Sequence, residues 1–334
     1  MKKIRVAIIG FGGIARVHNK SYSTLIAEGV PVELCAVCDK DVSRISAKLN
    51  FNLGNEETSL PEGIHIYSDI DELLKNEDFD VADVCLPTFL HKDFALKLLS
   101  AGKHVVCEKP MALSSSECEE MISAARKFGK QLMVAHVLRF DSAYTYLKKV
   151  IDSGIYGRLD NIYLDRHSVY PTWGAAFTNN ALTGGATLDT HIHDVDVARF
   201  LLGEPDKVFA TEFVQPPSYQ AVSTTLCFGD STAIINCSWD SAYTKPFSAG
   251  YRARFEKACV VLDNGEVTVT RCGCESEKIE PLSSDGVTEE LRYFIGKVIS
   301  GEKNELNPPE SSLASVRLIE KIRESSRLRE SIRL

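Results

Sequence analysis

The first residues in the chain that could do chemistry form a glycine-rich turn. Gly10, Gly12 and Ala15 follow an apolar run, residues 6–9, and precede a helical pattern, the context of a G-x-G-x-x-A phosphate-binding turn. The first glycine permits a tight bend, the second lets the backbone approach a pyrophosphate, and the small third residue lets helix and strand pack closely. Free N–H groups at the helix start bind the phosphates. We expect a dinucleotide site that comprises Gly10, Phe11, Gly12, Gly13, Ile14 and Ala15.

An acidic residue lies about 20 residues beyond the glycines, at the end of the second predicted strand. Asp39 is placed where a carboxylate accepts hydrogen bonds from the adenosine ribose hydroxyls. A carboxylate there favours NAD over NADP, because the 2′-phosphate of NADP would meet a like charge, although Lys40 could soften this preference. The structural alternative for Asp39 is an N-cap of the following helix, a role that Asp41 can fill instead.

A lysine follows another apolar strand. Lys109 comes just after residues 104–107, where ligands bind in open α/β sheets, although a single lysine in such a place is usually a solvated charge. Pro110 makes a cis peptide bond possible at this point.

Several segments together carry a resemblance to a known family. The glycine turn, Glu108-Lys109-Pro110, Pro87 to His91 and Asp189-x-x-x-His193 are similar to the glucose-fructose oxidoreductase and inositol dehydrogenase family over nearly the whole chain. The resemblance implies a Rossmann domain followed by an α+β domain on an open sheet, with the nicotinamide of NAD between them. It adds to the expected cofactor contacts Leu86, Pro87, Thr88, His91, Glu108 and Lys109.

The resemblance also implies a catalytic trio, and the chemistry of the side chains agrees with it. Oxidation of a secondary alcohol needs a base for the hydroxyl proton, and an imidazole with a pKa of about 6.5 suits that task, which makes His193 the candidate. Asp189 lies one helical turn before His193 if the segment is helical, and could orient the ring or contact the substrate. Lys109 would stabilise the developing alkoxide. His191 remains a rival base.

Other side chains near these motifs could contact the substrate. The expected substrate contacts are Lys109, Arg139, His167, Trp173, Asp189 and His193. Leu138 occupies the position of an arginine in inositol dehydrogenases, so the substrate stays open among polyols, sugars and sugar derivatives. His191, His193, Asp194 and Asp196 raise the question of a metal site, but the family's usual mechanism uses no metal and we predict none.

The elements that must position these residues change character near residue 137. Before it, apolar strands (residues 6–9, 33–37, 81–86, 104–107 and 131–135) alternate with helices (13–27, 41–49, 69–74, 91–101 and 114–128), which predicts an α/β fold with a parallel sheet. After a helix that ends near residue 151, strands follow at hairpin spacing, which predicts a large, mostly antiparallel sheet. We therefore expect an NAD-binding Rossmann domain at 1–137 and an α+β domain for substrate binding and oligomerisation at 138–334.

The composition excludes several classes of protein. The net charge of −8 argues against nucleic acid as a partner, and no stretch approaches the ~18 apolar residues of a membrane span. Without a recognisable signal peptide, a cytoplasmic location and reduced cysteines are expected. By analogy with the family, the chain is expected to form a homodimer or homotetramer.

Two hypotheses for function remain. The first is an NAD-dependent dehydrogenase that acts on a CH–OH group of a polyol or sugar. The alternative is a non-catalytic sensor of a dinucleotide or metabolite with the same fold. The presence of Lys109, Asp189 and His193 together favours the enzyme, because a sensor has no need of all three.

Overall fold

The structure is a computed structural model that describes residues 3–45, 60–172, 175–243, 247–280 and 285–334. The chain divides into two compact units, residues 1–137 with 285–313 and residues 138–284 with 314–334. Among the described residues, none of the helices combines the length and apolar character needed to cross a membrane.

The first unit alternates strands and helices along the chain. Its strands are β1 (Ile4–Ile9), β2 (Val32–Cys38), β3 (His65–Tyr67), β4 (Val81–Val84), β5 (His104–Glu108) and β6 (Leu132–Ala135). Its helices up to residue 137 are α1 (Gly13–Ala27), α2 (Ile70–Asn76), α3 (Thr88–Ser100) and α4 (Ser115–Phe128).

These strands form a parallel sheet in the order β3-β2-β1-β4-β5-β6 in the described part of the chain. The strand interiors are apolar and buried, as crossover helices on both faces require; Val81 and Val84 are fully buried in β4. The predicted Rossmann architecture is confirmed. Because all strands run the same way, the residues that follow β1, β2, β4 and β5 meet at one edge of the sheet.

Helix α4 shows why several boundaries were predictable from local signals. The Ser114 side chain accepts the Glu117 backbone N–H at 3.3 Å, and the Glu117 carboxylate accepts the Leu113 N–H at 3.0 Å. Gly129 ends the helix with φ +61°, a left-handed conformation that favours glycine.

Two predictions in this unit differ from the structure. The helix expected at residues 41–49 is a 3-10 turn at Val42–Ile45, and residues 46–49 lie outside the described residues. Strand β3 was not predicted, because its three residues are polar or exposed at the sheet edge and give no apolar alternation.

The second unit is built on a larger sheet. Its strands are β7 (Leu159–Ser168), β8 (Lys207–Gln215), β9 (Tyr219–Phe228), β10 (Ser231–Asp240), β11 (Phe247–Phe255), β12 (Ala258–Asp263), β13 (Glu266–Arg271), β14 (Ser276–Ile279) and β15 (Ile332–Arg333). The helices after β6 are α5 (Ser142–Ser153), α6 (Asn180–Thr183), α7 (Gly185–Asp189), α8 (His191–Leu202), α9 (Gly286–Ser300) and α10 (Pro309–Leu328). Short 3-10 turns occupy Val137–Arg139 and Ala175–Thr178.

In the described residues, the order of this sheet is β14-β13-β12-β11-β7-β10-β9-β8-β15. Its pairs are antiparallel except for β7 with β10, which confirms the predicted open, mostly antiparallel sheet. Helices α7 and α8 pack against β7, β9 and β10 on one face. Side chains of β7 alternate between that covered face, which takes Leu164 and Arg166, and the opposite face, which takes Tyr163 and His167.

Residues 285–313, which the prediction placed in the second domain, fold with the first unit. The reason is the apolar face of α9, where Leu291, Phe294 and Ile295 are fully buried, and α9 packs against α1. A hydrogen bond of 2.9 Å from Thr288 Oγ1 to Ser21 Oγ joins the two helices. Helical periodicity predicts such a face but not the sheet that it covers.

Candidate active site

The glycine turn is shaped by contacts that exclude a side chain at Gly10. Gly10 has φ +88°, and a Cβ atom there would lie 2.6 Å from the Cys85 carbonyl oxygen. At Gly12, in contrast, a Cβ atom would have no atom of the described residues within 4 Å. Among the described residues, no side chain caps the N-terminus of α1. The turn therefore combines a tight bend, open space and helix N–H groups, which fits the pyrophosphate of a dinucleotide.

Asp39 is tied directly to this turn. Its Oδ2 accepts the Phe11 backbone N–H at 2.7 Å and its Oδ1 accepts the Asp41 N–H at 2.9 Å, and the side chain is buried apart from 8% of its surface. Asp41, not Asp39, caps the following 3-10 turn, through an Oδ1 that accepts the Ser43 N–H at 3.2 Å. The carboxylate of Asp39 is thus held at the end of β2, where an adenosine ribose is expected, and Lys40 beside it is exposed.

The segment after β4 carries three of the predicted cofactor residues, Pro87, Thr88 and His91. Pro87 precedes α3 and Thr88 is buried at its first turn. His91 is 1% exposed, and its ring nitrogens lie 2.8 Å from the Pro110 carbonyl oxygen and 2.7 Å from that of Leu86. Burial lowers the pKa of His91, so its ring carries a single N–H, which donates to one of the two carbonyls and links the loops that carry them. Its contact with the cofactor stays a prediction.

Lys109 follows β5, at the same sheet edge as the turn. The peptide bond between Lys109 and Pro110 is cis, as the proline suggested. The backbone N–H of Lys109 donates to Glu108 Oε2 at 3.0 Å, and the Glu108 side chain is buried while Lys109 is half-buried. Burial raises the pKa of Glu108, but hydrogen bonding and the charge of His18 outweigh it, so the carboxyl stays ionised.

Asp189 and His193 lie on two short helices that meet at Thr190, so the single helical turn expected between them is interrupted. Thr190 has φ −107° and ψ −45°, and its carbonyl accepts the His193 N–H at 3.2 Å. The Thr190 hydroxyl donates to Asp189 Oδ2 at 3.2 Å and accepts the indole N–H of Trp239 at 2.8 Å. Both Asp189 and His193 are half-buried, so each retains exposed surface in this unit.

The rival base, His191, points into the core. It has no exposed surface, and its Nε2 lies 2.9 Å from the Thr224 hydroxyl on β9. Burial, together with the charge of Arg166, lowers the pKa of His191 to about 3. A group that binds a proton so weakly and has no contact with solvent is a poor general base, which favours His193.

The two aspartates that raised the question of a metal site are committed to arginines. Asp194 accepts from Arg166 Nε at 2.7 Å, and Asp196 accepts from Arg139 Nε and Nη2, both at 2.8 Å. The Arg139 guanidinium is 4% exposed and lies 5.5 Å from the centre of the Phe200 ring. The expected substrate contact of Arg139 is therefore replaced by a structural role in a buried ion pair.

His167 is also corrected by the fold. It lies on the face of the sheet opposite α7 and α8, which carry Asp189 and His193, and its Nδ1 is 2.8 Å from the Ser238 hydroxyl. Strand alternation puts its neighbours Arg166 and Ser168 on the covered face. Trp173, the other aromatic candidate for substrate contact, lies outside the described residues.

A buried charged cluster below the glycine turn was not predicted. His18 on α1 contacts Asp83 on β4 and Glu108, and Glu290 on α9 is fully buried nearby. The available signal was an acidic residue within the otherwise apolar strand β4, and a histidine and a glutamate on core-facing positions of helices. Such residues indicate a partnered polar network.

Comparison with known proteins identifies relatives of both units. Residues 4–136 match the model of an oxidoreductase family with an NAD-binding Rossmann fold, and residues 144–265 match the GFO/IDH/MocA C-terminal domain. A solved structure described as aldose-aldose oxidoreductase from Caulobacter crescentus complexed with glycerol is 25% identical. It superposes with a TM-score of 0.83 over 99% of this chain and 100% of its own.

Curated relatives show the same relationship in sequence. A D-glucoside 3-dehydrogenase of Escherichia coli is 36% identical over 66% of this chain and 59% of its own length. An inositol 2-dehydrogenase of Salmonella paratyphi B is 30% identical over 67% of this chain and 61% of its own length. The chain thus spans about three fifths of these two relatives. By its two matched domains, this chain belongs to the GFO/IDH/MocA family of oxidoreductases, whose N-terminal domain is an NAD-binding Rossmann fold.

Proposed function

We propose that this protein is an NAD-dependent dehydrogenase that transfers hydride between a CH–OH group of a sugar or polyol and the nicotinamide. The observation that carries the proposal is the shared sheet edge of the first unit, where the glycine turn after β1, Asp39 after β2 and Lys109 after β5 meet. A dinucleotide turn alone indicates only binding, whereas a lysine at the same edge adds a group that can act on a reacting oxygen.

The first unit supplies cofactor binding in this proposal. The open space at Gly12 and the N–H groups of α1 bind the phosphates, and Asp39 accepts from the ribose hydroxyls. When bound, NAD accepts the hydride during oxidation of the alcohol or, as NADH, supplies it in the reverse reduction.

Lys109 has the role of an electrostatic stabiliser. Its ammonium binds the substrate oxygen and stabilises the negative charge that develops there when the hydroxyl proton leaves. The backbone N–H of Lys109 donates to the Glu108 carboxylate, which fixes the position of the backbone that carries the Lys109 side chain.

His193 takes the hydroxyl proton as general base. His193 is half-buried, whereas His191 is fully buried. Asp189, joined to the same Thr190 junction by a hydrogen bond of 3.2 Å, orients the base or binds a neighbouring substrate hydroxyl.

Two observations support the substrate class: the names of the relatives, and one position at which this sequence differs from inositol dehydrogenases. The relatives are called a glucoside dehydrogenase and an inositol dehydrogenase, which favours a ring with vicinal hydroxyls. Leu138 stands where inositol dehydrogenases have an arginine, which favours a substrate that lacks an anionic or strongly polar group at that point. These names also favour an enzyme over the non-catalytic hypothesis.

We further propose that the chain forms a homodimer or homotetramer through the uncovered face of its large sheet. Three aromatic side chains on this face, Tyr163, Phe209 and Phe213, are 40%, 42% and 58% exposed. Exposed aromatic side chains on a sheet face often mark a protein–protein interface. Light scattering that gives the mass of a monomer at micromolar concentration would refute this part.

The function is tested by following NADH formation with a panel of glucosides, inositols and aldoses at pH 7 to 9. Lys109→Met and His193→Asn are each expected to lower kcat on an accepted substrate by about 10²- to 10⁴-fold while NAD binding persists. Lys92→Met, at a partly exposed ion pair on α3, is the matched control. Unchanged turnover in either active-site variant would overturn its assigned role, and NAD binding with no turnover on any substrate would favour the sensor.

A further inference from the structure

A buried histidine links the cofactor-binding helix to the strand that precedes Lys109. His18, on α1, has its Nδ1 2.8 Å from Asp83 Oδ2 on β4 and its Nε2 3.2 Å from Glu108 Oε1 at the end of β5. His18 is 1% exposed, Asp83 is fully buried and Glu108 is 9% exposed. One imidazole therefore bridges two buried carboxylates from different strands.

The charge of this histidine follows from its partners. An ionised carboxylate can only accept hydrogen bonds, so each ring nitrogen must carry a proton, and only the imidazolium has both. Burial lowers the pKa of His18, but the charge of Asp83 and its hydrogen bond raise it well above its ordinary value. The imidazolium is the counterion of the pair.

The surrounding groups leave this charge balance intact. Glu290 on α9 is fully buried, and burial and the charge of Glu108 raise its pKa well above the ordinary value, which favours its neutral form. Tyr22 on α1 is likewise buried, with a raised pKa. Cys85, whose Sγ lies 3.6 Å from His18 Nδ1, stays a thiol because burial raises its pKa. The charged core of the cluster is one imidazolium between two carboxylates.

The network reaches Lys109 through the second oxygen of Glu108. Glu108 Oε1 faces His18, while Oε2 accepts the Lys109 backbone N–H at 3.0 Å. Each oxygen of the Glu108 carboxylate thus has a partner. Because one of these partners is the Lys109 N–H, the carboxylate also fixes the backbone of Lys109. A group that meets a reacting atom must be held by a rigid second layer of contacts.

We propose that His18 is a positioning residue that acts on Lys109 through Glu108. The imidazolium holds the Glu108 carboxylate, and the carboxylate holds the backbone of Lys109 so that its ammonium meets the substrate oxygen. The network leads from Lys109 into the interior, where His18 and Asp83 have almost no exposed surface. It therefore positions a charge and does not carry protons to solvent. This inference rests on the role proposed above for Lys109.

The kinetic test is a double-mutant cycle between His18→Gln and Lys109→Met. Because a 1 Å misplacement can cost about 10²-fold in rate, His18→Gln is expected to lower kcat by about tenfold to a hundredfold, with the Kd for NAD within about threefold. In the Lys109→Met background the same change should lower kcat by less than about twofold, because the positioned group is already gone. Equal effects of His18→Gln in both backgrounds would show a general structural role and overturn the proposal.

A histidine variant elsewhere in the first unit serves as the matched control for His18→Gln. His65→Gln removes another imidazole–carboxylate contact of this unit, 2.5 Å from Glu77, but at the edge strand β3, and it should leave kcat unchanged. If Lys109→Met itself does not affect turnover, the role of Lys109 fails and not the description of the network.

Solid-state NMR of the wild-type protein with ¹⁵N-labelled histidine tests the network without relying on the activity of any variant. Two protonated ring nitrogens for His18 at pH 8, assigned by their absence in His18→Gln, are expected. A neutral ring would overturn the bridge. The donor atoms of His18, Asp83 and Cys85 lie close enough to hold a metal ion, so stoichiometric zinc in the purified protein, released by a chelator, would overturn it as well.

Discussion

The Asp39 carboxylate accepts the backbone N–H of Phe11 at 2.7 Å, so the residue expected to select NAD also closes the glycine turn. One oxygen serves the turn and the other the Asp41 N–H at 2.9 Å. A substitution that removes the side chain would therefore disturb both phosphate binding and cofactor selection. To separate the structural role of Asp39 from its role in cofactor selection, a variant must keep an oxygen that accepts the Phe11 N–H and remove the negative charge.

Asp39→Asn is that variant. Its amide oxygen can still accept the Phe11 N–H, although the contact with the Asp41 N–H is lost because an amide nitrogen does not accept. The repulsion of a 2′-phosphate is also lost, so the preference for NAD over NADP should fall by about tenfold, equivalent to about 1.4 kcal/mol. The measurement is the ratio of kcat/KM, or of Kd, for the two cofactors. Glu72→Gln, an exposed acid on α2, should leave the ratio unchanged, and an unaltered ratio in Asp39→Asn would show that the charge does not select.

The two glycines of the turn should respond in opposite ways to alanine. Gly10→Ala places a methyl group 2.6 Å from the Cys85 carbonyl at φ +88°, and should destabilise the fold by about 1–3 kcal/mol, seen as a lower Tm without cofactor. Gly12→Ala has φ −82° and open space, so its Tm should match that of the wild type.

Gly12→Ala, which should leave the Tm without cofactor unchanged, should instead weaken the binding of NAD. At Gly12→Ala the new methyl group occupies the space through which the pyrophosphate approaches, so NAD affinity should fall by about tenfold or more. The rise in Tm that NAD produces in the wild type should shrink accordingly. Wild-type NAD affinity in Gly12→Ala would mean that the phosphates bind elsewhere.

Arg139→Met separates a structural from a substrate-binding arginine. The change leaves Asp196 buried without its bidentate partner, which should cost about 3–5 kcal/mol, while the KM for an accepted substrate changes by less than about threefold. Thermal unfolding and steady-state kinetics give the two readouts. Arg271→Met, which breaks an exposed pair with Glu277, should change neither. A large rise in KM with an unchanged Tm would restore the substrate contact.

His191 should be visible in the pH dependence of stability. Its pKa is about 3 in the folded protein and about 6.5 when unfolded, so the stability from its neutral form is present above pH 6.5 and is lost as the pH falls towards 3. Between pH 7.5 and pH 5 the Tm of the wild type should therefore fall more than that of His191→Gln. Equal slopes would contradict the buried neutral ring.

The same variant identifies the base. In His191→Gln, the acidic limb of kcat/KM, where the rate falls as the pH is lowered, should stay where it is in the wild type, because His193 is intact. His193→Asn should lose that limb together with most of the rate. If the limb instead disappears in His191→Gln, the assignment of the base is wrong.

Local patterns were sufficient for much of the fold. The turn from Gly10 to Ala15, the cap at Ser114 and the apolar strands of the first unit are all visible within a few neighbouring residues. Short-range sterics and hydrogen bonds determine them. The same holds for Asp39 and Lys109, whose places at strand ends follow from the strands themselves.

The roles of polar side chains in the second unit depended on tertiary structure. Arg139 and His167 were expected to contact the substrate, but one is buried against Asp196 and the other lies on the far face of the sheet. His191 and His193 are two positions apart, yet only one points into the core. Sequence alone determined which groups could do chemistry and which strands they follow. Packing decided which face each one takes and which charges meet, because these depend on contacts between residues far apart in the chain.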